Sequence, residues 1–263
     1  MSAAKGTPTA IRMGQAALGL GLLTAWETGS RTGAIDKFFF SQPSEIGRRL
    51  WQWLATGSIW RHLGTTLAEA ALAFAIGVGL GIVFGFLLAR MPRVAALLDP
   101  YIRIANALPR VVLAPIFLLW FGLGIWSKVA LGVTVVFFIV FFNTWQGVRE
   151  ADPIVINNAR MLGASESQLI RHVLIPSALS WIFSSLHISI GFAMIAVVVG
   201  EYLGSSRGVG YLIAQAEGVF DTTGVFAGMA VLASVVLIIG AGVNRLERWL
   251  LRWKPQRDVT AAY

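Results

Sequence analysis

Six runs of apolar residues, at positions 11–26, 64–89, 111–122, 127–147, 177–203 and 223–243, punctuate this chain of 263 residues. A backbone amide in hydrocarbon has no water to bond, so it must find its partner within the protein. Runs without strict alternation satisfy that demand as helices, and a helix crosses the roughly 30 Å of hydrocarbon in about 20 residues. Four of the runs have the length. The run at 11–26 is short and rich in glycine. The run at 111–122 spans only if helix extends back to about Ile104, across Pro109, with neighbours satisfying the freed carbonyl. Charge agrees: only 13% of residues are Asp, Glu, Lys or Arg, against about 25% in a soluble domain. The mean hydropathy is +0.71. The expected fold is all-α and polytopic, with about six transmembrane helices and, at 11–26, a retained first span rather than a cleaved leader.

The net charge is +8 and the pI about 10.6. That balance raises the question of nucleic acid, but the basic residues form no run interleaved with aromatics. They lie between the apolar runs and set an orientation instead. With both termini inside, Arg31, Lys37, Arg48, Arg49, Arg61, Lys128 and Arg207 face outward, and the other fourteen of the 21 basic residues face inward. Trp26, Trp120 and Trp126 then fall at outer ends, and Trp145, Trp181, Trp249 and Trp253 at inner ends, where an indole keeps its N–H wet. The segment 43–54 reads as a surface helix, with Ile46, Leu50, Trp53 and Leu54 on one face. It lies along the outer interface or packs on protein. Gly77, Gly81 and Gly85 recur every four residues in the second span, a spacing that lets two helices approach closely.

Enzyme motifs fail one by one. The chain has no cysteine, which removes disulfides and thiolate metal sites. A phosphate-binding loop needs Gly-Lys before Ser or Thr, and none of Lys5, Lys37, Lys128 and Lys254 follows a glycine. Residues 204–208 read G-x-S-x-G, but a nucleophile elbow needs a preceding strand and a later histidine. Here a span precedes, and His62, His172 and His187 all come before Ser206. The stretch reads as a loop leaving a helix. The three histidines have no metal-ligand spacing, so neither a catalytic nor a metal site is expected.

The longest polar stretch between spans, 149–176, reads as two short helices and a turn. Asp152-Pro153 opens the first, and Ile154, Ile156, Met161 and Leu162 give it apolar surface. Gly163 stops it. Ser165 and Gln168 form a capping box for the second, whose apolar face holds Leu169, Ile170, Val173 and Leu174. Pro176 ends that helix and starts the next span. Two caps in one inter-span segment specify a structured docking element.

Asn157-Asn158-Ala159-Arg160-Met161-Leu162-Gly163, nine further residues, then Val173-Leu174-Ile175-Pro176, resembles the EAA loop of binding-protein-dependent ABC importer permeases. That motif runs Glu-Ala-Ala, three residues, Gly, nine residues, Ile-x-Leu-Pro. Ala159, Gly163 and Pro176 match in register, while Asn157 and Asn158 depart from Glu-Ala. Gln42-Pro43-Ser44-Glu45-Ile46, the stretch 115–124, Asn143-Thr144-Trp145-Gln146-Gly147 and Gly208-Val209-Gly210-Tyr211-Leu212-Ile213 resemble the nitrate, sulfonate and taurine group of these permeases. The resemblance covers nearly everything after about residue 40.

The resemblance implies a type I ABC importer permease in the bacterial inner membrane, N-in and C-in. Its layout is a first span in 1–30, an outer segment in 31–62, a permease core in 63–245 holding the coupling segment 149–176, and a basic tail in 246–263. Implied partners are two ABC ATPase subunits, a periplasmic substrate-binding protein, a second permease copy in a homodimer, and membrane lipid. ATP and magnesium would bind the ATPase and no cofactor this chain. The ATPase would contact Ala159, Arg160, Leu162, Gly163, Ala164, Ser165, Glu166, Gln168, Leu169 and Pro176. The substrate implied is a small anion such as a sulfonate, nitrate or taurine.

Polar or adaptable groups at membrane depth mark a pathway. The residues so marked are Glu69, Asn106, Asn143, His187, Met194 and Glu201. Glu69 and Glu201 lie near outer ends, within reach of interfacial water. No arginine falls mid-run to announce an anion site. Two other classes compete. An ion-coupled secondary transporter would show inverted repeats or interrupted helices, and a membrane-embedded enzyme would need convergent catalytic groups.

Overall fold

The computed structural model describes residues 8–250. Lys5 and the part of the basic tail from 251 onward lie outside them. Among the described residues the chain is helical and has no strand. The helices are α1 (Pro8–Thr32), α2 (Lys37–Phe40), α3 (Pro43–Ala55), α4 (Ser58–Ala89), α5 (Pro92–Ala107), α6 (Ala114–Phe121), α7 (Ile125–Arg149), α8 (Pro153–Met161), α9 (Glu166–Leu169), α10 (Ile175–Leu203), α11 (Val209–Gly218) and α12 (Thr222–Leu250). A 3-10 turn, Arg110–Leu113, precedes α6, and a π-helical stretch, Ile170–Leu174, joins α9 to α10.

Four helices are long and apolar enough to cross a membrane: α4, α7, the rod Glu166–Leu203, and α12 over Thr222–Val243. The third expected span is different. Pro92–Ala107 and Arg110–Phe121 qualify together but meet at 87°, so helix does not run straight through Pro109. Leu108 before that proline is extended, at φ −63° and ψ 130°, as the proline ring requires of its predecessor. α1 has 25 residues but is not among the apolar spans, because Gly14, Gln15, Gly19 and Gly21 dilute its run.

Pro176 also behaves differently from expectation. It does not separate two helices; it lies in one rod of 38 residues. The π stretch just before it absorbs the missing N–H, because the wider turn carries the Ile175 N–H back to the Ile170 carbonyl. The EAA-like turn is thus the end of a span and not a separate helix hung below it.

The bundle is organised around α7, which packs most extensively on α4 and on α10. The glycines of α4 make the first contact possible. A Cβ on Gly77 would stand 2.7 Å from Val136 Cβ, one on Gly81 2.8 Å from Val140 Cβ, and one on Gly85 2.6 Å from the Phe141 carbonyl oxygen. Gly79, on another face, has nothing within 4 Å. Gly132 returns the favour from α7, where a Cβ would meet Ala73 Cβ at 2.5 Å. Small residues opposed by Val136, Val140 and Thr144 of the facing helix let the backbones approach while the opposing side chain fills the space. Ala70, Ala73, Val129, Met194 and Val197 form one buried cluster, and Val136, Val140 and Ala193 another.

α3 packs on α12 and α4 and buries Ile46, while Trp51 and Leu54 remain exposed. The surface helix is therefore held on protein by one face. Arg49 of α3 bonds Asp221 at the start of α12.

Candidate functional site

The segment between α7 and α10 builds its turn from local chemistry. The Asp152 carboxylate accepts the Ile154 N–H at 2.8 Å and starts α8. α8 closes on itself when the Leu162 and Ala164 N–H groups donate to the Asn158 and Ala159 carbonyls, each at 3.0 Å. Gly163 stands at φ +81°, the left-handed position that ends helices at glycine. Ser165 then accepts the Gln168 N–H at 3.3 Å while Gln168 accepts the Ser165 N–H at 2.8 Å, a complete capping box. Glu166 lies 2.9 Å from Arg90 and 3.7 Å from Arg160, which ties the turn to the end of α4. Leu169 is buried beneath it, and Met161 and Leu162 are 85% and 88% exposed. Two large apolar side chains are thus held outward by a doubly capped turn.

The residues marked at membrane depth divide into three groups. Asn106 and Asn143 come together. They line two adjoining hollows, of about 590 and 500 Å³, that share Asn106, Phe142 and Asn143 as walls. The larger also touches Arg103, Trp145, Gln146, Arg149 and Trp181; the smaller touches Arg110, Phe138, Ile139, Ile188 and Phe192. Both lie among α5, α7 and α10. His187 and Met194 line a separate pocket of about 180 Å³ against Val236, Ile239 and Gly240 of α12.

Glu69 and Glu201 form the third group and line no described hollow. They are 1% and 0% exposed, so neither reaches interfacial water. Their side chains meet each other inside the bundle, close to the Lys128 ammonium, which is also 0% exposed. Glu201 accepts Thr66 Oγ1–H at 2.7 Å and the Gly210 N–H at 2.8 Å. Lys128 donates to the Leu123 and Gly124 carbonyls at 2.7 and 3.0 Å. Thr66 Oγ1 also accepts the Val209 N–H at 2.9 Å, and His62 Nδ1 the Gly208 N–H at 3.2 Å. Gly208 stands at φ +113°, and a Cβ there would collide with the Glu201 carboxylate. The G-x-S-x-G stretch is thus the loop that folds over Glu201.

Sequence reasoning missed Lys128 and Arg110. Lys128 reads as an outward charge, yet Gly200 leaves room for its stem against α10. Arg110 reads as an inner-side topology charge, yet the bend brings it over the Phe138 ring at 5.1 Å. A basic residue directly after Leu-Pro, inside an otherwise spanning run, was the available signal.

A family model described as binding-protein-dependent transport system inner membrane component matches residues 77–254. The chain belongs to this family. These permeases are the membrane-spanning subunits of ABC transporters and carry no catalysis of their own. The permease is 34% identical over 233 residues to SsuC of Bacillus subtilis, a protein named for aliphatic sulfonates transport, with 89% of this chain and 84% of the relative covered. It is 33% identical over 233 residues to the riboflavin transport system permease protein RibX of Chloroflexus aurantiacus, covering 89% and 87%. Its fold matches a chain of the inward-facing MetNI methionine ABC transporter at a TM-score of 0.60 and 18% identity, over 75% of this permease and 96% of that chain. It is therefore a multi-pass inner-membrane permease that works with an ATPase and a binding protein.

Proposed function

We propose that this permease forms the translocation pathway for a small organic anion, a sulfonate or a close chemical relative, received from a periplasmic binding protein. Two copies face each other and two ATPase subunits dock beneath. ATP and magnesium stay on the ATPase. The N-terminus and C-terminus lie inside, which puts the Gly163–Ser165 turn in the cytoplasm.

The observation that carries this reading is the union of turn and span. Ala159, Arg160, Leu162, Gly163 and Ala164 present the docking surface. Ser165, Glu166, Gln168 and Leu169 fix it to the helix that Pro176 continues as α10. Movement imposed on the turn by ATPase closure becomes movement of a spanning helix without an intervening joint. Relatives named for aliphatic sulfonates and for riboflavin share the scaffold, so the sulfonate assignment rests on resemblance.

Gly163 is a poor first probe, since its positive φ confounds docking with strain. Leu162→Glu leaves the backbone alone and puts a charge in the centre of the exposed apolar face. The expected outcome is a folded permease that no longer retains its ATPase in a pull-down and supports no ATP-dependent uptake. Full retention and full uptake would remove the turn from the ATPase interface.

A further inference from the structure

Two of the arginines on the α5–α7 hollows lack a carboxylate partner among the described residues. Arg103 is paired with Asp99 at 2.7 Å. Arg149 instead lies over the Trp145 ring at 5.6 Å, and Arg110 over the Phe138 ring at 5.1 Å. Arg149 sits at the helix end, where a cation interacts favourably with the dipole. Arg110 has no such position; it stands at the break of the bent span, on the smaller hollow. Its Nη1 donates to the Asn106 and Leu108 carbonyls and its Nη2 to Asn106 Oδ1. Those bonds use three of the five N–H donors of a guanidinium and hold the group rigidly, with two donors to spare.

We propose that the hollow beside Arg110 is a subsite for the charged end of an organic anion that also carries a short apolar body. This deepens, and rests on, the reading of the chain as a permease pathway. The spare guanidinium donors suit a sulfonate or carboxylate, whose planar or forked oxygens accept paired N–H bonds. The Asn143 amide donates one N–H back to the Ile139 carbonyl at 2.8 Å, which leaves its second N–H as a further donor on the wall of the hollow. Phe138, Ile139, Phe142 and Phe192 supply an apolar wall. A cation meets an uncompensated arginine there. A bare inorganic anion leaves the aromatic wall without a partner, and a neutral apolar molecule covers the half-buried Arg110 donors without pairing them, which is unfavourable. The hollow therefore selects amphiphilic anions, and Arg110 is its specificity-determining residue.

The test uses the full-length permease in lipid nanodiscs, with 1-pentanesulfonate, nitrate and pentylamine as probes. Saturation-transfer NMR, corrected with empty nanodiscs, reports weak binding of the two organic probes, and nitrate is added as a competitor. Pentanesulfonate is expected to bind, pentylamine not, and nitrate to compete only weakly. Arg110→Gln should weaken pentanesulfonate about tenfold or more, as loss of a charged hydrogen bond does. Arg110→Lys should weaken it less, and Arg171→Gln on the exposed surface should leave it unchanged. Unchanged melting temperature guards against misfolding. Absence of pentanesulfonate binding to the native permease, equal binding to Arg110→Gln, or equal binding of pentylamine would overturn the proposal. The ATPase pull-down with Leu162→Glu is independent of this hollow: ATPase retained by that variant would sink the docking reading, whereas loss of probe selectivity while Leu162→Glu sheds its ATPase as expected would sink only the subsite.

Discussion

Glu201 is wholly enclosed, and the groups around it explain how a carboxylate is tolerated there. Thr66 and Gly210 each give it a hydrogen bond, and Lys128 stands close by. Glu69 is less well served, since its Oε2 has no hydrogen-bond partner. The two carboxyls should therefore respond differently. Glu201→Ala leaves Thr66 and the Gly210 N–H without their acceptor in a dry interior, and is expected to cost about 2–4 kcal/mol, as stranding two buried donors does. Glu69→Gln removes one of two crowded acids and gives Glu201 an amide donor, so stability should hold within about 1 kcal/mol. Thermal unfolding of the purified variants distinguishes the two, and equal losses would show that Glu69 is bonded as fully as Glu201. Neither acid was hard to notice in the sequence. Their meeting was invisible there, because Thr66, Lys128, Glu201 and Gly210 come from α4, α7, α10 and α11 and only packing assembles them.

At the level of elements, the α4–α7 contact gives a prediction with opposite signs on one helix. Gly81→Ala puts a methyl group 2.8 Å from Val140 Cβ and should destabilise by about 1–3 kcal/mol through overpacking. Gly79→Ala meets nothing within 4 Å and should be neutral or stabilising by up to ~1 kcal/mol, since alanine is the better helix former. Folded yield and unfolding midpoint report both, and a loss at Gly79 would mean that face is covered. The capping box offers a local test. Ser165→Ala should cost about 1 kcal/mol, seen as faster amide exchange over 165–169 with α4 and α7 unaffected. That turn was legible in advance because the bonds that shape it join residues within a few positions, unlike the Arg90–Glu166 pair that ties it to α4 across 76. The bend at Pro109 and the continuity at Pro176 were not. A proline reads alike in sequence whether the chain breaks, as between α5 and α6, or widens by one residue, as before α10, and neighbours decide which.

Across the whole molecule, the Arg49–Asp221 pair joins α3 to the start of α12, 172 residues away. Partial burial alone would raise the Asp221 carboxyl. The Arg49 and Gly224 hydrogen bonds and the Arg49 charge outweigh it, leaving the group below its ordinary 3.8. A carboxyl lowered on folding contributes fully above its unfolded value and loses that contribution as pH falls through its folded one. Asp221→Asn should therefore lower the melting temperature by a constant amount from pH 7 to about pH 5, with the gap closing below about pH 3.8. A gap independent of pH would mean the pair is not what stabilises this corner. The 87° break has a wider reach. At the bend, the Asn106 and Leu108 carbonyls turn to a guanidinium and not to a backbone N–H. Acyl chains offer nothing to such a surface. A solitary permease adrift in the bilayer would be poorly solvated along this edge.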